Sequence, residues 1–300
     1  MNKVILGYAR LARPANLPTA AADIFAGAAI GGLFISENSL EVFASELGLS
    51  FLLLTVSSIF LYAGGVIMND VFDYRLDLIE RPERPIPSGV VPLVSASIFG
   101  AVVLLLGVTM AFFVSLASGA IATALVLSIL LYDGLAKKHG FFGPLNMGVC
   151  RGLNLILGMS ILGMFSYAWL AFIPVVYIFA ITLISRGEVH GDNKGHIVLA
   201  GVLYSVVILA ILLASFIYTE SILGTFIYLG LFAFMIFRPL IKAYKDNSPK
   251  NIKGAVMGGV ISLIIMDAAL GASFSVWWYG LVILLLLPIS KGLARMFAVT

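Results

Sequence analysis

Ten apolar runs, at about 17–36, 46–68, 92–114, 117–136, 143–164, 167–186, 196–218, 221–241, 253–273 and 276–296, fill most of the 300 residues and leave only short polar connections. Each approaches the roughly 20 residues that a helix needs to cross a ~30 Å hydrocarbon core. None shows the period-2 alternation of a lipid-facing strand, so all read as helices whose backbone hydrogen bonds close internally. The expected fold is all-α and polytopic. With 61% of residues hydrophobic and 11% charged, against about 25% charged in soluble chains, no appended soluble domain fits.

The cations alternate between connections. Lys3, Arg10 and Arg13 precede the first run, and Arg75, Arg81 and Arg84 follow the second. Lys137 and Lys138 follow the fourth, Arg186 and Lys194 the sixth, Arg238, Lys242, Lys245, Lys250 and Lys253 the eighth, and Lys291 and Arg295 end the chain. The connections between hold no Lys or Arg, only acids such as Glu37, Glu41, Glu46 and Glu220. This asymmetry predicts an integral, multi-pass membrane protein with its N-terminus and its cation-bearing loops in the cytoplasm. Asp23 interrupts the first run, which continues to Ile35, so the run reads as a span rather than a cleaved signal. The single cysteine, Cys150, excludes an internal disulfide and a cysteine-rich metal site, and the scattered basic residues give no nucleic-acid footprint.

Two of the cytoplasmic loops carry clustered acids. After the second run stand Asn69, Asp70, Asp73 and Asp77, then Glu80-Arg81-Pro82-Glu83-Arg84-Pro85-Ile86-Pro87-Ser88-Gly89. Asn69, Asp73 and Asp77 are spaced i, i+4, i+8, which on a helix sets an amide and two carboxylates on one face with about 40° of drift per step. Oxygen ligands of this kind suit Mg²⁺, which binds one or two carboxylates together with substrate phosphates. After the sixth run Glu188 and Asp192 repeat the i, i+4 spacing, and parity places this second element on the same side as the first. Opposed acidic clusters suit two metal ions holding a diphosphate, and Arg81 and Arg84, on a loop stiffened by three prolines, suit its oxygens. Solvated charged loops remain the alternative. Within the spans, Arg151 and Asn154 read either as contacts to a ligand or as a buried structural pair, and Asp133 as a cavity-rim residue. Asp23 and Asp267 read as helix-packing hydrogen bonders.

The string from Asn69 to Asp77 followed by Arg81-Pro-x-Arg84-Pro-Ile-Pro-Ser-Gly89 resembles the first signature of the UbiA superfamily of intramembrane prenyltransferases. Arg13-Pro14-x-Asn16, Tyr132 with Lys137, and the 188–195 element add to the likeness, which runs to about residue 272. The resemblance implies nine transmembrane helices around a central cavity, here one domain over 1–300 with its core at 10–272 and an extra span at about 276–296. It also implies Mg²⁺ held by Asn69, Asp73, Asp77, Glu188 and Asp192, of which Asp73, Asp77 and Asp192 would be catalytic. An isoprenyl diphosphate would meet Asn69, Asp70, Arg81, Arg84, Lys137, Asn146, Arg151 and Lys194, and would prenylate an aromatic or otherwise lipophilic acceptor inside the membrane. The stretches 143–154 and 185–191 look closest to the EboC branch. Glu188 stands where the family usually has Asp, with Val189, His190 and Gly191 in place of further acids. This thinner second motif leaves open a carrier that binds an isoprenoid or related metabolite without chemistry.

Overall fold

The computed structural model describes residues 3–34, 45–188, 191–219 and 222–297, which are helices and connections without a strand among them. An amphipathic α1 (Lys3–Leu11) and a tight turn (Pro14–Asn16) lead into α2 (Leu17–Ile30). Then come α3 (Glu46–Phe72), α4 (Tyr74–Glu80), α5 (Leu93–Val114), α6 (Leu116–Gly134), α7 (Phe142–Met159) and α8 (Phe172–Ser185). The chain continues with α9 (Lys194–Tyr218), α10 (Ile222–Lys245), α11 (Pro249–Ser273), α12 (Tyr279–Leu284) and α13 (Leu286–Phe297). Glu37, Glu41, Glu220, Val189 and His190 lie outside the described residues.

Among the described residues, eight helical stretches are long and apolar enough to cross a bilayer, taking 168–185 and 279–297 as one stretch each. Of the ten expected spans, the first and the fifth are the two outside this set. The first, α2, has 14 residues and ends at Ile30. The fifth, α7, carries Asn146, Arg151 and Asn154. Both are free of the need to be long or wholly apolar because protein, not lipid, surrounds much of them. Twelve of the fourteen α2 residues are buried, and α2 packs on α3, α7 and α11 at once. From α5 onward each long helix packs against the next up to α11, α3 packs against α5, and α2 joins α11 to α3.

Small residues make the three-way packing of α2 possible, since helices associate in lipid by close backbone approach rather than by a hydrophobic gradient. A Cβ on Gly27 would run into the Leu155 carbonyl oxygen, and one on Gly158 would stand 2.7 Å from the Ile24 oxygen. The C-terminal segment is bent at Leu285. Pro288 has no N–H for the Leu284 carbonyl and its ring crowds that carbonyl, so the helix breaks one turn earlier. Ser290 then ties α13 to the entry turn, donating to the Ala15 oxygen at 2.6 Å.

Candidate active site

The first acidic element sits where α3 passes into α4. Asp73 is the junction, yet the backbone N–H groups of Asp73, Asp77 and Arg81 still donate to the carbonyls of Asn69, Asp73 and Asp77 at 2.9, 2.8 and 2.9 Å. The i→i−4 ladder thus runs through the junction and keeps these four residues in line. The following proline loop is anchored by Ile86 and Val91, both buried against Leu11 and Ile67, and it turns at Gly89, whose φ of 76° is in the left-handed region.

The carboxylates are held by cations from three different segments. Arg13, itself left-handed with φ 46°, places a guanidinium nitrogen 2.6 Å from Asp70 Oδ1. A single nitrogen of Arg84 reaches Asp70 at 3.1 Å and Asp77 at 2.6 Å. Lys137 Nζ lies 2.5 Å from Asp73 and 3.9 Å from Asp133, and the Asn69 amide donates to Asp133 at 2.7 Å. Among the described residues no three acids, histidines or cysteines gather closely enough to cage a metal by themselves.

Behind this mouth a cavity of about 440 Å³ opens between α2, α3, α6 and α7. Arg13, Asn69, Arg81 and Asp133 stand at its polar end, Leu61, Leu125 and Ile129 line its walls, and Ser58, Tyr62, Arg151 and Asn154 reach its far end. Arg151 donates to Asp23 at 2.6 Å, to the Thr19 carbonyl at 2.9 Å and to the Thr19 hydroxyl. The Asn154 amide donates to Asp23 at 2.7 Å and to the Ala20 carbonyl at 3.0 Å, while its oxygen accepts from Ser58 at 2.8 Å. The far end is therefore a hydrogen-bonded clamp between α7 and α2. Asp267 on α11 is fully buried beside it, with its carboxyl against that of Asp23.

The second acidic element is looser. Glu188 is half-buried, and burial raises its carboxyl above the ordinary range against the opposing pull of Lys253 and Arg81. The influence of Arg81 links the second element to the first across the mouth. Gly191 and Asp192 are both left-handed, with φ 72° and 50°, and Asp192 is exposed. Asn193, which carries no signal in the sequence motif, pins this loop: its N–H donates to Asn247 Oδ1 at 2.6 Å and its amide to the Ile184 carbonyl at 2.8 Å.

Two expected binding residues lie elsewhere. Lys194 stands 5.8 Å from the Tyr244 ring centre at the start of α9, and it does not line the cavity. Asn146 faces an outer groove between α6 and α7. Conversely, Arg13 appears in the sequence as a topological cation and a family match at the first span, whereas the fold makes it a partner of Asp70.

The UbiA prenyltransferase family model matches residues 25–253. A digeranylgeranylglyceryl phosphate synthase of Sulfurisphaera tokodaii is 30% identical over 64% of this chain and 66% of that protein. One from Methanothermobacter thermautotrophicus is 27% identical over 79% of this chain and 80% of its own length. Those of Methanococcoides burtonii and Saccharolobus solfataricus are matched over only 55% and 62% of their length. In fold, the chain resembles a digeranylgeranylglyceryl phosphate synthase structure, with a TM-score of 0.65 at 22% identity over 91% of this chain and 99% of the other. It also resembles a UbiA homolog from Archaeoglobus fulgidus bound to GPP and Mg²⁺, with a TM-score of 0.62 at 12% identity over 88% and 99%. None of these relatives distinguishes the EboC branch. A helical, multi-pass membrane fold with paired acids at the mouth of an apolar cavity thus joins a family match over more than half the chain: this protein belongs to the UbiA prenyltransferase family.

Proposed function

We propose that the protein transfers an isoprenyl group from an allylic isoprenyl diphosphate to a hydroxyl of a glycerophosphate-type lipid within the membrane. The observation that carries this reading is the mouth itself, where Asp70, Asp73 and Asp77 with Arg13, Arg84 and Lys137 border an apolar cavity of about 440 Å³. The acceptor class follows the named relatives, whose product is a glyceryl phosphate lipid, and keeps the lipophilic rather than the aromatic of the two acceptor classes expected from sequence. The whole chain, 1–300, is taken as one unit, with its N-terminus and both acidic loops cytoplasmic.

The donor set fits Mg²⁺: every candidate ligand is a hard oxygen, the kind that this ion takes together with phosphates. Asn69, Asp73 and Asp77 would hold one ion and Glu188 with Asp192 a second, and these would supply positive charge to the diphosphate. Arg81, Arg84 and Lys137 add fixed charge as the allylic C1–O bond breaks, the largest kind of catalytic contribution in such sites. The acceptor oxygen then bonds to C1, and its proton leaves with the diphosphate. The apolar walls keep water from C1 in the meantime.

Purified protein with Mg²⁺, geranylgeranyl diphosphate and geranylgeranylglyceryl phosphate should release diphosphate and form a second ether bond, and Asp73→Ala should abolish both. Binding of the diphosphate without release, across glycerophosphate and aromatic acceptors, would overturn transfer. That outcome favours the second reading, an EboC-type carrier, which rests on the thin second element with its exposed Asp192. Glu188→Asp separates the two, since it raises turnover only in an enzyme.

A further inference from the structure

Asp133 is the last residue but one of α6, where that helix reaches the polar end of the cavity. Its side chain is only 1% exposed. A buried carboxylate is costly unless it is paired and hydrogen-bonded. Among the described residues it accepts one hydrogen bond, from Asn69 Nδ2 at 2.7 Å. The same oxygen lies 3.9 Å from Lys137 Nζ, whose closer partner is Asp73. The nearest partner of Asp133 is thus a neutral amide rather than a cation.

That pairing fixes which way round the Asn69 amide sits. An amide has a donating end and an accepting end, whereas an ionised carboxylate only accepts. Asp133 therefore draws the amide nitrogen, and a half-turn of the amide would set two oxygens against each other. With Nδ2 so committed, Oδ1 is the free end of a side chain that lines the cavity, and it accepts no hydrogen bond among the described residues. Only the oxygen end of an amide is a ligand for a hard cation. Asn69 also stands at the head of the backbone ladder that carries Asp73 and Asp77.

We infer that Asp133 is a positioning residue for the metal: by holding Asn69 Nδ2 it keeps the amide oxygen available to Mg²⁺, without being a ligand itself. This rests on the reading of Asn69 as a ligand given above. It adds to the site a residue outside both acidic loops, 64 positions from Asn69 and on a different helix.

The test is Mn²⁺ binding to the full chain in detergent with pyrophosphate present, followed by loss of the free Mn²⁺ signal in electron paramagnetic resonance. Asp133→Leu should weaken Mn²⁺ binding about 10–100-fold, the usual cost of losing the partner that orients a ligand. The same substitution in an Asn69→Asp background should cost far less, because the two oxygens of a carboxylate are alike and need no such fixing. A structural or purely electrostatic role for Asp133 costs the same in both backgrounds, so equal losses overturn the inference. Asp133→Ala replaces Asp133→Leu if thermal melts show the latter unfolded. Absence of Mn²⁺ binding by the unaltered protein overturns the metal reading and the inference with it. Binding that is indifferent to Asp133 strikes the inference alone.

Discussion

Lys137 Nζ lies 2.5 Å from Asp73 Oδ1 and so joins the end of α6 to the α3–α4 junction, two segments separated by 64 positions. The lysine stands in for positive charge at the carboxylate most exposed of those in ion pairs at the mouth, with 23% of the Asp73 side chain accessible. Lys137→Met should lower kcat on the order of 100-fold by removing fixed charge from the leaving diphosphate. It should also lower the Mg²⁺ concentration for half-activation, because Asp73 no longer has to give up a cation. A Mg²⁺ titration of turnover reads both effects, and an unchanged kcat places Lys137 outside the reaction.

Arg13 and Arg84 share Asp70. Each single alanine substitution leaves the other arginine to hold the buried carboxylate, whereas the double substitution leaves it bare. The two changes should therefore be non-additive by roughly 0.5–3 kcal/mol in a double-mutant cycle on diphosphate affinity or thermal stability. Simple additivity would falsify the shared-partner arrangement.

The Arg151–Asp23 pair is buried at the far end of the cavity, with side-chain exposures of 10% and 0%. Arg151→Met strands a buried carboxylate and should cost about 3–5 kcal/mol of stability, seen as a lower Tm in detergent. Asp23→Asn in the same chain should recover much of that loss. A single variant with an unchanged Tm would mean that the pair does not hold α7 to α2.

Glycines of two kinds should respond in opposite directions. Gly27→Ala forces α2 away from the α7 backbone and should cost about 1–3 kcal/mol. Gly254→Ala, near the start of α11 with nothing within 4 Å, should gain up to about 1 kcal/mol from helix propensity. Thermal melts of the two variants check the sign of each.

The acidic elements were legible because polar spacing on an otherwise apolar chain stands out, and the helical ladder from Asn69 through Asp77 keeps that spacing in space. The order of burial was not. In lipid both faces of a helix are apolar, so α2 and α5 look alike as strings although 12 residues of α2 are buried and only 6 of α5. For the same reason Asn146 could be read as a span polar residue while its direction, outward toward the groove, stayed hidden. The cation partners were also beyond reach, since Arg13 and Asp70 lie 57 positions apart.

The clamp between α2 and α7 bears on how the chain enters the membrane. Asp23 is synthesised 128 positions before Arg151, and its carboxylate interrupts the apolar run that carries α2. Arg151 alone would oppose partitioning of α7 by about 2.5–3.5 kcal/mol. Each charge is costly in lipid until it meets the other. The α2–α7 clamp therefore cannot close until α7 has been made, so the bundle's central contact is one that only a late stage of synthesis can supply.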